Sequence, residues 1–193
     1  ALSQPMKVPK SKGAGVFEGD GKPAWDVWTA TTKDAAKKRG IDLDHIADKD
    51  VGAYLLQFEA GLDAGAVPKI RAPLSKGADG SLSFACGIPE GAVIRIHQSE
   101  PMPQIDSARE AAKRARAQIG GGKIAGALVF DCICRNLILG DQFGDAVRGI
   151  RDELGGVPLA GFETYGEVAL GAGDMSGFHN TTTVVLAFGG EEK

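Results

Sequence analysis

Cysteine, histidine and aromatic side chains are all scarce in this chain of 193 residues. It holds three Cys and three His, and Phe, Trp and Tyr together make up 6%. An odd handful of cysteines does not make a disulfide framework, and it points to a reducing compartment. No apolar run approaches the roughly 18–20 residues that a membrane span needs. Residues 1–15 have no apolar h-region; they carry Lys7, Lys10 and Lys12 with Pro5 and Pro9, so they do not read as a signal peptide. A cytoplasmic location is expected. Positive charge is not in excess either: 22 Lys and Arg face 25 Asp and Glu, for a net charge of −3. That removes the electrostatic reason to expect nucleic acid as a partner. What is plentiful is glycine, 28 residues, about twice the usual share, which implies many tight turns. The rest of the composition, 43% hydrophobic and 24% charged, is that of a soluble chain of about one domain, able to bury roughly 70% of its unfolded surface.

The periodicity predicts an α+β fold: a mixed, largely antiparallel sheet with helices packed on it. After a loose lead-in over 1–22, with at most a short strand at 16–18, Pro23 opens a helix over 24–39. Its predicted inward face is Ala24, Trp28, Thr31 and Ala35, and Gly40 stops it. Residues 41–53 read as an acidic loop with one helical turn. Alternation then predicts strands over 54–59, 69–74, 81–87 and 92–98 as an antiparallel meander, with a hairpin at Gly77-Ala78-Asp79-Gly80. A helix capped by Asp106 or Ser107 runs to Ile119 on a narrow, alanine-rich face. Ile124–Cys134 is a near-continuous apolar run and reads as a strand buried on both faces. Asp141–Leu154 reads as an amphipathic helix with Phe143, Val147, Ile150 and Leu154 inward. Strands over 158–163, 165–170 and 181–188 complete the sheet.

Several tempting motifs fail. Gly121-Gly122-Lys123 closes a helix and is followed by Ile124, whereas a phosphate loop opens a helix with Ser or Thr after the Lys. Gly171-Ala172-Gly173-Asp174 lacks the dinucleotide spacing. Cys132-Ile133-Cys134 has no second ligand pair, so a tetrahedral zinc site is not offered. No G-x-S-x-G or H-E-x-x-H occurs.

The informative residues are polar ones that interrupt apolar strands. Asp131 and Arg135, four apart on one predicted strand, share a face, and Cys132 and Cys134 take the other. Arg135 suits a ligand carboxylate, because its guanidinium fork matches two oxygens. Glu163, Tyr165 and Glu167 share a second face by alternation, and either glutamate suits an ammonium group. His179 and Asn180 open the last strand after a glycine-rich loop.

These stretches together resemble the C-terminal half of FIST domains. The likeness runs through Gly21-Lys-Pro-Ala-Trp-Asp-Val-Trp28, the Asp79-Gly-Ser-Leu hairpin, Ile88-Pro-Glu-Gly-Ala-Val93 and Gly126-Ala-Leu-Val-Phe-Asp-Cys-Ile-Cys-Arg135. It is strongest in Val157-Pro-Leu-Ala-Gly-Phe-Glu-Thr-Tyr-Gly-Glu167 and Gly177-Phe-His-Asn-Thr181. It covers about residues 16–188. Residues 1–20 resemble the last strand of the family's N-terminal half, and 21–190 a FIST C-like domain, so the chain is expected to be a fragment or a truncated relative. One departure lies at Gly140-Asp-Gln-Phe-Gly-Asp145, where relatives often carry an acidic residue early in the helix.

The resemblance implies a sensory input module of a bacterial signalling protein, with an output partner such as a histidine kinase and small ligands such as amino acids. No chemistry of its own is expected. The expected ligand site comprises Asp131, Cys132, Arg135, Glu163, Tyr165, Glu167, His179 and Asn180. Neither a metal nor a cofactor is expected. The alternative is a haem-based nitric oxide sensor, with His97, His179 or Cys132 as axial ligand. Two further alternatives are a hydrolase using Cys132 or the Glu163/Glu167 pair, and a non-catalytic interaction module. Self-association is a possibility the sequence leaves open.

Overall fold

The computed structural model describes residues 1–63, 67–170 and 177–190. The chain opens with β1 (Met6–Lys7), β2 (Lys10–Lys12), β3 (Gly15–Gly19) and β4 (Lys22–Pro23), followed by α1 (Ala24–Lys38) and α2 (Asp48–Leu55). Five strands follow: β5 (Phe58–Leu62), β6 (Lys69–Arg71), β7 (Pro73–Lys76), β8 (Leu82–Phe84) and β9 (Val93–Gln98). Then come α3 (Pro101–Gln118), β10 (Ile124–Cys132), α4 (Ile133–Leu139), a 3-10 turn (Gly140–Gln142) and α5 (Phe143–Glu153). The last strands are β11 (Leu159–Thr164), β12 (Glu167–Val168), β13 (Phe178–His179) and β14 (Thr183–Gly189). The fold is α+β, as the periodicity predicts. Two compact units divide the chain: Ala1–Ser99 with Leu170–Asn180, and Glu100–Ala169 with Thr181–Lys193.

The first unit is built on two antiparallel sheets, not one meander. Their strand orders are β1-β9-β5-β6 and β2-β3-β8-β7, with β4 added to β3. The opening segment is therefore no loose lead-in: Met6 and Val8 are core residues. Around them lie Val16, Trp28, Tyr54, Leu55, Phe58, Leu82, Ile94 and Ile96. The buried face of α1 is Ala24, Trp28, Thr32 and Ala36, one position on from the predicted Thr31 and Ala35. Thr32 earns its burial by bonding: its hydroxyl lies 2.6 Å from the Tyr54 hydroxyl, and Trp28 Nε1 donates to the Phe58 carbonyl at 2.8 Å. Tyr54 is thus a helix residue of α2, and the strand predicted over 54–59 starts only at Phe58. The predicted hairpin is present, β7 pairing antiparallel with β8, and Gly80 takes the positive φ of 77° that the turn requires.

The second unit is a three-stranded mixed sheet, β11-β10-β14, with β11 parallel and β14 antiparallel to β10. Helix α3 begins five residues earlier than the predicted cap, because Pro101 occupies its first turn, where a missing N–H is harmless. Ser107 is inside the helix, and its hydroxyl bonds back to the Gln104 carbonyl at 2.7 Å. Ile105, Ala108 and Ala112 pack with Ala127, Ala146, Ile150 and Leu154 into the unit's own core. The predicted strand Ile124–Cys134 ends at Cys132 and turns into α4. Nor is it buried on both faces: Phe162, Leu186 and Phe188, on the strands beside it, are exposed. In α5 the buried residues are Ala146, Gly149 and Ile150, while Val147 is exposed, not inward as predicted. The strand predicted over 165–170 shrinks to Glu167–Val168. The glycine-rich loop predicted before the last strand lies, over 171–176, outside the described residues.

Candidate functional site

Asp131 and Arg135 do meet, but not on one strand face. Asp131 is the penultimate residue of β10, and Arg135 is on the first turn of α4. The strand-to-helix change folds Arg135 back over Asp131. Arg135 Nε donates to Asp131 Oδ1 at 2.6 Å, Nη1 to Ser107 Oγ at 3.2 Å and Nη2 to the Gln104 carbonyl at 3.0 Å. With 1% of its surface exposed, this guanidinium is a structural clasp between β10, α4 and α3. A ligand carboxylate, the role expected from the sequence, would have to compete with these three bonds.

Asp131 is only 4% exposed. Burial pushes its carboxyl above the usual range, with Arg135 and the facing Thr183 pulling the other way. Its second oxygen, Oδ2, has no other partner, and the facing Thr183 hydroxyl, itself otherwise unbonded, is the donor at hand for it.

Glu163, Tyr165 and Glu167 do not share a face. β11 ends at Thr164 and the chain turns at Gly166, where φ is 151°. Glu163 stays exposed and accepts a hydrogen bond from Asn136 Nδ2. Tyr165 is 89% exposed. Glu167 is buried: Thr164 Oγ1 donates to its Oε1 at 2.6 Å, and the Thr182 N–H to its Oε2 at 3.3 Å. Burial pushes the Glu167 carboxyl up, opposed by Thr164, the Cys132 thiol and Thr182. Cys132 and Cys134 are both buried, and Cys134 together with burial pushes the Cys132 thiol far up. Such a thiol is not an activated nucleophile. All three cysteines are unpaired.

His179 and Asn180 belong to the first unit. Asn180 Oδ1 accepts the Ala72 N–H at 3.5 Å, and Arg71 Nη1 donates to the Ile70 and Phe178 carbonyls at 2.9 and 3.3 Å. Their visible work is to tie this short segment to β6 and the residue that follows it.

What residue patterns missed is a groove in the second unit. It has a volume of about 220 Å³ and is lined by Val129, Asp131, Phe143, Val147 and the β11 residues from Leu159 to Glu163. Asp131 and Glu163 are register partners on β10 and β11. Gly161 shapes the wall, since a Cβ there would come within 2.0 Å of the Val129 carbonyl oxygen. The available signal was Val147, an apolar position on α5 more than its packed face needs. A larger hollow in the first unit, about 440 Å³ between α2 and β7, includes Asp48, Val51, Leu74 and Lys76 in its lining.

The family model for the FIST C domain matches residues 38–170, more than half of the chain. The chain belongs to the FIST C domain family. It is a family of signal-transduction sensory domains. No curated protein and no solved structure gives a match. Among the described residues of this FIST C domain, no helix is long and apolar enough to cross a membrane. A haem would need an open axial ligand beside a hollow. Among the described residues, His97, His179 and Cys132 line neither of these two grooves, and Cys132 is 1% exposed.

Proposed function

We propose that this FIST C domain is a small-molecule-binding input module without chemistry of its own, and that its ligand occupies the groove between β10, β11 and α5. The observation that carries this reading is the groove itself, with apolar walls of Val129, Phe143, Val147 and Leu159 and the paired positions Asp131 and Glu163 in its lining. Small-molecule sites combine apolar walls with a few placed polar groups. The volume suits a molecule no larger than an amino acid. Ligand binding would bias the β11–α5 wall between two arrangements, and a signalling partner such as a histidine kinase would read the difference. The haem-sensor alternative has less support, for want of a fitting axial ligand. A hydrolytic role has less support, because the Cys132 thiol that meets Glu167 is buried and its pKa is pushed far up.

A thermal-shift screen of small metabolites on the purified chain tests the proposal. A specific ligand raises the midpoint by mass action, about 2.7 kcal/mol at 100 times its dissociation constant. In Val147→Trp, where the indole fills the groove, the shift is expected to vanish while the unliganded midpoint stays near wild type. Shifts that persist in Val147→Trp would place the ligand elsewhere and sink the reading.

A further inference from the structure

We infer that Arg71 in the first unit holds a small oxyanion, a carboxylate or a phosphate that presents two oxygens to the side-on edge of its guanidinium. Arg71 is the last residue of β6 and is 4% exposed. Its Nη1 is engaged, donating to the Ile70 and Phe178 carbonyls at 2.9 and 3.3 Å. Its Nε is closed to solvent and has no acceptor. Nη2, on the same edge as Nε, is not closed off in this way and bonds no described residue. Both carbonyl partners are neutral, and among the described residues no carboxylate pairs with Arg71. Arg135, a second buried guanidinium, makes the contrast: its Nε meets Asp131.

A guanidinium does not give up its proton, so Arg71 cannot shed its charge on burial as a carboxyl or an amine can. Burying it without a counter-ion is costly. The sheet does not supply one. Glu59 is the one acid in the strands β1, β9, β5 and β6. Its neighbour Ala60 is the register partner of Arg71, so Glu59 leaves the opposite face, where it accepts the Ser99 hydroxyl at 3.1 Å. Asp63, just past β5, is held by Arg95, whose Nη1 lies 2.8 Å from both of its oxygens. Lys69, two residues before Arg71 on the same face of β6 and 4% exposed, places a second cation on that side. An oxyanion supplies what is missing: a negative charge, and two acceptor oxygens at the spacing of the Nε–H and Nη2–H fork. A neutral ligand would satisfy the donors and leave the charge. This site is independent of the groove, which lies in the second unit.

Titrations of acetate and of phosphate at neutral pH and constant ionic strength, against a chloride background, test the inference. The readout is the tryptophan fluorescence melt, which follows the first unit because Trp25 and Trp28 both lie there. A saturable rise of the midpoint is expected with at least one of the two anions, and none with chloride. A rise with acetate alone identifies a carboxylate ligand, and a rise with phosphate alone a phosphate. Arg71→Lys keeps the charge and loses the fork, and is expected to weaken the anion about tenfold. Val147→Trp, in the other unit, is expected to leave the response intact. A second measurement needs no variant: the Arg71 Nε–H cross-peak, assigned by through-bond correlation to its own backbone, should shift with the dissociation constant that the melts give. If neither anion gives a saturable response, the inference falls. If Arg71→Lys responds like the wild type, or the Nε–H cross-peak stays in place while the midpoint rises, the anion acts elsewhere and the inference is overturned. Each of these failures leaves the groove reading untouched.

Discussion

Arg135 shows how one residue's meaning depends on its partners. Read as a polar interruption of an apolar strand, it is a ligand-binding arginine. In the fold it is the counter-ion of a carboxylate that is 4% exposed and the link between three elements. Removing one member of a buried pair leaves the other charge uncompensated, which typically costs about 3–5 kcal/mol. Arg135→Ala is therefore expected to lower the stability of the second unit by about that amount. Both tryptophans, Trp25 and Trp28, lie in the first unit. Urea unfolding followed by circular dichroism should show the loss, while the tryptophan fluorescence transition should move much less. A loss under about 1 kcal/mol would mean the clasp is not structural. Asp131, Arg135 and Glu163 were legible in the sequence as residues out of place. Their roles were not, because each role turns on whether a neighbour already satisfies the group.

At the scale of elements, the sequence located most helices and strands and misjudged their ends. Pro101 in the first turn of α3 explains one miss, and the bend from β10 into α4 explains another. The apolar run over 124–134, ending in Cys132-Ile133-Cys134, fits a strand or a buried helix equally well, so periodicity could not place the junction. The alanine face of α3 was read correctly, and it sets a packing limit. Ala108 and Ala112 have no exposed surface and belong to the same core as Ala127, Ala146 and Ile150. Ala112→Leu would overfill that contact, at a cost of about 1–3 kcal/mol, although leucine is a good helix former. A melting midpoint equal to wild type would show that α3 packs more loosely than its alanines indicate.

For the whole molecule, two cores imply two acid–base signatures of opposite sign. His97 in the first unit is held below its usual 6.5, first by burial and then by the chain's amino terminus and Arg95; Asp63 opposes them. The unfolded chain takes up that proton more readily. His97 therefore favours the fold above pH 6.5, and its contribution is lost as pH falls through 6.5 toward the folded value. Asp131 and Glu167 in the second unit are held above 3.8 and 4.5. Their contribution is present below those values and lost as pH rises through the raised folded values. Melts between pH 5 and 7 should show the first unit, followed by tryptophan fluorescence, weakening toward acid. In His97→Gln that slope should flatten, and an unaltered slope would assign it to another group. The sequence by itself determined the α+β class, the family, the alanine-faced helix and the acidic, polar residues worth watching, because periodicity and local chemistry are carried by neighbours along the chain. Only the tertiary structure decided that the chain forms two cores, that Arg135 is already engaged, that Glu163 and Glu167 part company, and that a groove lies between β10, β11 and α5. Those facts depend on which distant groups come to share a buried space, and no spacing along the chain encodes that.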